Sequence, residues 1–295
     1  MSTVKSQHYI PQSYLKRFGT NEKIDVLKIE TQEILEKQST KSYACINYFY
    51  DIDPKEIEPY FEDLFKFRPH LRGSPVINDP QYIEHYFSRL EGDIKKIFDD
   101  LEQNHSLIKD ISIQSKLIIF LHDLSIRTET IRKENISINK TIYDKLKDTF
   151  PIESLWQFTD IEAKKKQIRS VIELKPLLRT MQMLTENYKW YIGINNSKNI
   201  DFIISDNPAL DILLGFNDIC IPISKKHALI FKIKNKKAPV LTNDKHHKSR
   251  MYLTEKSVLI YNSHQFIQGD RFIFGDKKSI ELTKNFIHEL KKIQK

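Results

Sequence analysis

Glycine is scarce in this chain, and that scarcity limits the folds and sites that the chain can form. The chain has 295 residues and seven glycines, about a third of the usual share of roughly 7%. Phosphate-binding loops of the G-x-G-x-x-G and G-x-x-x-x-G-K-[ST] types need clustered glycines, because their backbone approaches phosphate where a Cβ would clash. Neither pattern occurs in the sequence. We therefore expect any site to be built from side chains rather than from glycine-rich loops.

The composition is that of an ordinary globular protein, with 40% hydrophobic and 29% charged residues. We predict a single domain over residues 1–295. No apolar run approaches the ~20 residues of a membrane helix, and the first residues lack the apolar segment of a signal peptide. We therefore expect a cytoplasmic protein without membrane contacts. Cys45 and Cys220 fit no C-x-x-C pattern, and no zinc motif is present.

The hydrophobic pattern changes character along the chain and predicts an α+β fold. Ile24–Ile29 and Ile34–Lys37 alternate like the strands of a hairpin, in an N-terminal subregion of residues 1–40. Residues 54–187 repeat apolar side chains every three or four positions, which is typical of helices. Residues 188–295 contain short β-branched and aromatic runs, then a closing helix. We predict a helical middle segment packed on a mixed or antiparallel sheet, with the N-terminal hairpin docked on its C-terminal strands.

Specific helices follow from the same pattern. The strongest repeat runs from Tyr82 to Gln103, and a second long helix is expected from about Ser112 to Arg132. Further helices are expected at Tyr143–Phe150, at Ala163–Glu186 and at Phe286–Ile293. The segment Ser257–Asn262 fits either a strand or the start of a helix.

A polar and aromatic motif, QHYIPQSYLKRF, opens the chain at residues 7–18. Pro11 suits the first turn of a short helix, so His8 and Tyr9 would precede its positive end. An imidazole and a phenol placed there could transfer protons and hold an anion. The alternative is a tucked terminus in which His8 is hydrogen-bonded to backbone, and the chemistry of the residues alone favours this alternative.

Arg127 carries a charge where the predicted helix should be apolar. At about 100° per residue it lies within about 60° of Ile113, Phe120, Leu124 and Ile131. A guanidinium that faces the core must find an acidic or anionic partner. An i,i+4 pair with Asp123 is one possibility, but that pair would not explain an arginine on the buried side. A functional anion site and a structural buried pair are equally compatible with the pattern.

An apolar strand from Phe202 ends in the polar trio Ser205, Asp206 and Asn207, and Pro208 then stops the strand. Polar groups just past the end of a strand often line a site because the strand holds them rigidly. Asp206 could act as a base or a metal ligand, and Asn207 as a hydrogen-bond donor. The structural alternative is an Asx-turn, which would need only one such side chain.

The formal net charge of +8 is densest in a lysine-rich segment between residues 225 and 256. One interpretation is a contact surface for a phosphate backbone. The other is a solvated hairpin whose lysines protect an edge strand. The lysines are not interleaved with aromatic residues, so the second interpretation is favoured.

Several segments together resemble a bacterial family known as domain of unknown function 4238. They are, in order, HYIPQSYLKRF, IRTETIR, IISDNP, IPIS and FIQGDRFIFG, and the acidic helix with Glu84 and Glu91 is also similar. The family has no established activity. The resemblance implies a bacterial origin and a single constellation made of His8, Tyr9, Pro11, Arg127, Ser205, Asp206 and Asn207. The chain departs from the family pattern at Gly269 and Asp270, where a helical residue similar to alanine would be expected.

Three hypotheses remain open. The first is a hydrolase, in particular a phosphodiesterase or nuclease acting on nucleic acid or a nucleotide. His8 and Tyr9 would handle protons, Arg127 would clamp the anion, and Asp206 would serve as second base with Asn207 orienting the substrate. The ligand contacts would include Gln12, Arg132 and Ser205. Mg²⁺ is the one candidate cofactor, and we predict no dedicated metal site. The second hypothesis is a non-catalytic module for an anion or nucleotide, and the third is a purely structural polar cluster.

Overall fold

The computed structural model describes residues 4–62, 65, 78–146, 160–214, 218–234 and 244–293. The fold is α+β, with helices packed on a mixed sheet, as predicted. The helices are α1 (Gln12–Leu15), α2 (Pro54–Ile57), α3 (Tyr82–Gln103), α4 (Ile111–Ile126), α5 (Glu129–Leu146), α6 (Asp160–Ile172), α7 (Leu174–Asn187), α8 (Asp211–Leu214), α9 (Glu255–Gln268) and α10 (Lys277–Ile293). The strands are β1 (Ser6–His8), β2 (Lys23–Lys28), β3 (Ile34–Ser39), β4 (Cys45–Asn47), β5 (Tyr188–Asn195), β6 (Ile204–Ser205), β7 (Ile219–Pro222), β8 (His227–Ile233), β9 (Lys245–His247), β10 (Arg250–Leu253) and β11 (Phe272–Gly275).

The C-terminal strands form a five-stranded mixed sheet in the order β7-β8-β5-β10-β9. Strand β10 runs parallel to β5, with Met251 opposite Gly193, and the remaining pairs are antiparallel. The central strand β5 consists mainly of isoleucine and aromatic residues, which suit the pleated surface of a sheet. The edge strand β9 is short, exposed and basic, which protects a sheet edge from pairing with other chains.

The predicted N-terminal hairpin is present as β2 and β3, and it docks on the C-terminal part of the chain. It belongs to a second, antiparallel sheet in the order β3-β2-β11-β6, where Val26 lies opposite Phe274 and Ile273 lies opposite Ser205. The two ends of the sequence therefore share one sheet. A third pairing joins β1 to β4, with His8 opposite Cys45.

The helix predicted from about Ser112 to Arg132 is in fact two helices. Helix α4 ends at Ile126, and the backbone of Arg127 turns away with φ −86° and ψ 6° before α5 begins at Glu129. Distant side chains satisfy the carbonyls that this break frees. Gln167 Nε2 donates to the carbonyls of Ile126 (2.8 Å) and Thr128 (2.9 Å). The break therefore depends on tertiary partners, which local periodicity cannot reveal.

The other predicted helices have different bounds in the structure. The region Ala163–Glu186 is divided into α6 and α7 at Glu173, whose extended backbone (φ −70°, ψ 133°) precedes α7. The segment Ser257–Asn262 lies inside α9, and the closing helix already begins at Lys277. Of the helix expected at Tyr143–Phe150, residues 143–146 belong to α5, and residues 147–150 lie outside the described residues.

The opening motif is part of the hydrophobic core. Tyr14, Leu15 and Phe18 are buried, as expected for the inner face of a short helix. The Tyr14 ring lies 6.0 Å from Phe98 of α3 and 6.1 Å from Phe120 of α4, measured between ring centroids. The Tyr14 hydroxyl donates to the carbonyl of Pro222 at the end of β7. The motif thus connects the helical segment to the sheet.

In the described part of the chain, none of the helices is long and apolar enough to cross a membrane.

Two lysines of the basic segment pair with acidic side chains, Lys226 with Asp201 and Lys232 with Asp218, each at 2.6 Å. Lys236 and Lys237 of the same segment lie outside the described residues.

Substitution of Gly19 tests the tight turn that leads into β2. A Cβ at Gly19 would lie 2.2 Å from the carbonyl oxygen of Lys23, which already accepts the Thr20 amide. Because backbone must move to relieve this overlap, we expect Gly19→Ala to lower the free energy of unfolding by about 1–3 kcal/mol. Denaturant unfolding followed by circular dichroism measures the loss.

Gly92→Ala is the matched control. Its Cβ would meet no atom within 4 Å on the exposed side of α3, and alanine stabilises a helix interior by about 0.5–1 kcal/mol relative to glycine. Equal stability of the two variants would contradict the expected clash at Gly19.

Candidate functional site

Arg127 is buried at the break between α4 and α5, where its guanidinium holds the opening motif. Nε donates to the carbonyl of Tyr9 (2.8 Å), and Nη2 donates to the carbonyl of His8 (3.2 Å). Nη2 also pairs with Glu91 Oε1 at 2.7 Å. The guanidinium carbon lies 4.4 Å from the centroid of the Phe87 ring. The side chain expected to clamp an anion thus binds the protein's own backbone.

The acidic partner that the buried position of Arg127 requires is Glu91 of α3 rather than Asp123. Burial lowers the pKa of Arg127, but the nearby Glu91 carboxylate and Tyr50 outweigh it and leave the pKa raised. Asp123 accepts a hydrogen bond from the Tyr86 hydroxyl at 2.8 Å instead. Burial raises the pKa of Asp123 to about 7, although the hydrogen bond from Tyr86 lowers it. Burial likewise raises the pKa of Glu84 to about 7.

His8 ends β1 and keeps an unused ring nitrogen. Its Nε2 is buried and has no hydrogen-bond partner among the described residues. Burial and the Arg127 charge lower the pKa of His8, and a hydrogen bond to the backbone of Lys41 opposes them. The ring is therefore neutral at pH 7. Gln12, a predicted ligand contact at the start of α1, donates to Thr40 Oγ1 at 3.5 Å.

Tyr9 is joined to the end of the chain through Arg271, a residue to which the sequence assigned no role. The Tyr9 hydroxyl accepts a hydrogen bond from Arg271 Nη2 at 2.7 Å, and the same nitrogen lies 2.5 Å from Glu129 Oε2. Burial raises the pKa of Tyr9 although Arg271 opposes it, so the phenol stays protonated. The only sequence signal for Arg271 was its place in FIQGDRFIFG. Glu129, the first residue of α5, likewise stood out only as part of IRTETIR.

Asp206 stabilises the turn that contains Arg271 by accepting backbone hydrogen bonds. One carboxylate oxygen accepts the amide of Asp270 and the other accepts the amide of Arg271, each at 2.8 Å. Burial raises the pKa of Asp206 to about 6, although these two backbone hydrogen bonds lower it. Both oxygens are occupied, so the geometry favours a structural role over the predicted base. Gly269, where the chain departs from the family pattern, follows the last residue of α9.

Ser205 and Asn207 bind the neighbouring helices. The amide and hydroxyl of Ser205 both donate to Gln265 Oε1 of α9, at 2.9 and 3.2 Å. Asn207 Nδ2 donates to Thr130 Oγ1 of α5 (2.8 Å) and to the carbonyl of Gln268 (3.0 Å). The turn is closed by Ser205 Oγ, which accepts the Asn207 amide at 3.2 Å. The polar trio therefore connects β6, α5 and α9.

Arg132 of α5 points to a cleft of about 270 Å³. Its Nη2 donates to Gln167 Oε1 (2.8 Å) and to the carbonyl of Phe49 (2.9 Å). The guanidinium carbon lies 3.6 Å from the centroid of the Phe49 ring. The cleft is lined by Ile46, Asn47, Tyr48, Phe49, Glu129, Arg132, Lys133, Ile136, Asp160 and Lys164. Arg132 is the one predicted ligand contact that lines this cleft.

Lys164 of α6 lines the same cleft as Arg132 of α5. Its Nζ donates to the carbonyls of Asp51 (3.0 Å) and Tyr48 (3.3 Å). Burial and the Arg132 charge lower the pKa of Lys164. Lys133 is already paired, with Glu129 Oε1 at 3.1 Å and with Asp270 at 3.3 Å.

The predicted site residues are thus brought into contact in two groups. Arg127 touches the backbone of His8 and Tyr9, while Tyr9 reaches Asp206 only through Arg271. Several polar atoms of these residues and their neighbours are buried without a hydrogen-bond partner in the described ranges: His8 Nε2, Thr128 Oγ1, Asn207 Oδ1, Gln268 Nε2 and Oε1, and Arg271 Nε. Across those same ranges, no three histidine, cysteine or acidic residues are grouped to hold a metal ion.

Replacement of Arg127 tests whether it is mainly a structural clamp. Arg127→Met removes the partner of a largely buried Glu91 and of two buried carbonyls, which typically costs about 3–5 kcal/mol. We expect that loss in chemical denaturation without any ligand. Arg169→Met is the control, because the exposed pair of Arg169 with Glu173 should contribute no more than about 0.5 kcal/mol. Similar stabilities of the two variants would argue against the clamp.

Comparison with known proteins supports the family resemblance seen in the sequence motifs and identifies no activity. A family model described as "Protein of unknown function (DUF4238)" matches residues 6–279. No curated protein and no solved structure matches the chain. The matched segment runs from β1 into α10 and includes the Arg127 clamp, the Asp206 turn and the residues of the cleft. The chain therefore belongs to the family of proteins of unknown function DUF4238.

Proposed function

We propose that this protein binds a phosphate-bearing ligand in the cleft between α5 and α6. One observation carries the proposal: Arg132 and Lys164 line one cleft, and neither has a carboxylate within 4.0 Å among the described residues. Burial lowers the pKa of both side chains, and the Arg132 charge lowers the pKa of Lys164 further, while Asp160 opposes the change at both. An anion placed between them would compensate both charges.

The bonds of Lys164 support a role in binding. An ammonium group has three N–H donors, and two of those of Lys164 are directed to the carbonyls of Tyr48 and Asp51. These two bonds fix the position of Nζ and leave a third donor. Among the carboxylates, Asp160 raises the pKa of Lys164 most, without an ion pair between the two residues in the described part of the chain. Lysine commonly binds phosphate groups in this way, as a point charge.

Binding without catalysis is favoured because the residues expected to perform chemistry have other partners. The guanidinium of Arg127 binds the carbonyls of His8 and Tyr9, and both carboxylate oxygens of Asp206 accept backbone amides. A cytoplasmic location, expected from the sequence, belongs to the same proposal because phosphorylated metabolites and nucleotides are abundant there.

Lys164→Met tests the phosphate site. With ribose 5-phosphate as the probe, we expect a ligand-dependent rise in melting temperature for the wild type. Removing a charged hydrogen bond of about 1.5–3 kcal/mol should weaken binding about tenfold or more in Lys164→Met. Calorimetric titration measures the affinity. Lys166→Met, which changes an exposed lysine of the same helix, should bind like the wild type, and equal weakening of both variants would contradict the site.

Hydrolysis of phosphodiesters is a second candidate, favoured by the unused and neutral imidazole of His8. A neutral ring nitrogen can accept a proton as a general base. In this case the protein would be a phosphodiesterase or nuclease that acts on nucleic acid or a nucleotide, with Mg²⁺ as the cofactor to be tested.

The test of this candidate is cleavage of RNA and DNA with and without Mg²⁺. If this candidate is right, the wild type and His288→Ala, which changes an exposed histidine of α10, cleave at the same rate. His8→Ala should lose at least about a hundredfold in rate, the usual contribution of a positioned proton-transfer group. Absence of cleavage by the wild type, or unchanged cleavage by His8→Ala, would eliminate this candidate.

A further inference from the structure

Tyr48 is an exposed aromatic residue held in an unusual backbone conformation at the edge of the cleft. Tyr48 lines the cleft together with Arg132 and Lys164, and the residue is 44% exposed. Its φ is 55°, in the left-handed region that bulky side chains rarely adopt. Sparsely populated backbone conformations cluster at ligand-binding and active sites, so Tyr48 is a candidate ligand contact.

Hydrogen bonds hold this conformation in place on both sides of the residue. The amide of Tyr48 donates to the carbonyl of Lys5 at 2.9 Å, and its carbonyl accepts the amide of Asp51 at 3.3 Å. The same carbonyl accepts Lys164 Nζ at 3.3 Å. The proposed phosphate contact and the backbone that carries the aromatic ring are therefore joined through one residue.

The ring of Tyr48 is not used in the packing, in contrast to its neighbour. Phe49 is buried, contacts the rings of Tyr9 and Tyr50, and carries the guanidinium of Arg132 on its face. Tyr48 makes no ring or cation contact with the residues that the structure describes. An exposed face of an aromatic ring beside cationic groups is the combination that binds nucleotides, with the base on the ring and the phosphate on the cations.

We infer that the ligand of the cleft is a single nucleotide whose base stacks on Tyr48 while its phosphate contacts Lys164, an inference that rests on the proposed function. The cleft volume of about 270 Å³ lies just below the range of about 300–1,000 Å³ typical of small-molecule sites. This size suits one nucleotide and not a longer stretch of nucleic acid. Arg132, stacked on Phe49, is the second cation available to the phosphate.

Calorimetric titration with adenosine 5′-monophosphate and with ribose 5-phosphate separates the contribution of the base to the affinity from that of the phosphate. We expect the wild type and Tyr48→Phe to bind the nucleotide at least about fivefold more tightly than the sugar phosphate, which is the lower end of one base–aromatic stack. Tyr48→Asn should bind both ligands equally and should keep the wild-type affinity for ribose 5-phosphate. Asparagine tolerates the left-handed conformation, so this variant should remain folded, which circular dichroism verifies.

The outcomes distinguish this inference from the proposed function. If Tyr48→Asn retains the preference for the nucleotide, Tyr48 is not the stacking residue and the inference is wrong, while phosphate binding stands. If the wild type binds neither ligand, the proposed function itself fails. Tighter binding of a single-stranded oligonucleotide than of the mononucleotide, with both affinities reduced in Lys164→Met, would overturn the single-nucleotide ligand in favour of nucleic acid.

Discussion

The buried guanidinium of Arg127 is the interaction on which much of this structure depends. It lies where α4 ends, and its contacts extend to two other parts of the chain: the carbonyls of His8 and Tyr9 in the opening motif, and α3, through the Glu91 carboxylate and the ring of Phe87. Such a charge is tolerated in a core only when its donors are satisfied. The need for these partners fixes where the opening motif lies.

The same break in the helix determines how the cleft is built. Gln167 of α6 donates to the carbonyls on either side of Arg127 and accepts from Arg132, so one amide joins α4, α5 and α6. Arg132 in turn binds the carbonyl of Phe49 and covers its ring. The residues that line the cleft are therefore held by the network that ends α4. A continuous helix from 112 to 132 would have placed Arg132 elsewhere.

The sequence predicted the features whose signal is local. The α+β class, the hairpin of β2 and β3 and the helix Tyr82–Gln103 follow from periodicity, and they are confirmed. The break at Arg127 was not predicted, because the groups that stabilise it are 36 to 119 residues away in sequence. The buried position of Arg127 indicated an acidic partner, but only the fold identifies Glu91. The cleft itself unites β4, α5 and α6, whose residues show no common pattern along the chain, so neither Lys164 nor Tyr48 attracted notice.

The hydrogen bond between Tyr9 and Arg271 joins residues that are 262 positions apart. Arg271 is placed by Asp206, and β2 pairs with β11, so several contacts unite the beginning and the end of the sequence. Contacts between such distant residues require the closure of a very long loop, and they slow folding. During synthesis the opening motif leaves the ribosome long before Arg271 exists. The hydroxyl of Tyr9 therefore gains its partner only after residue 271 has been made, so this hydrogen bond cannot guide the early stages of folding on the ribosome.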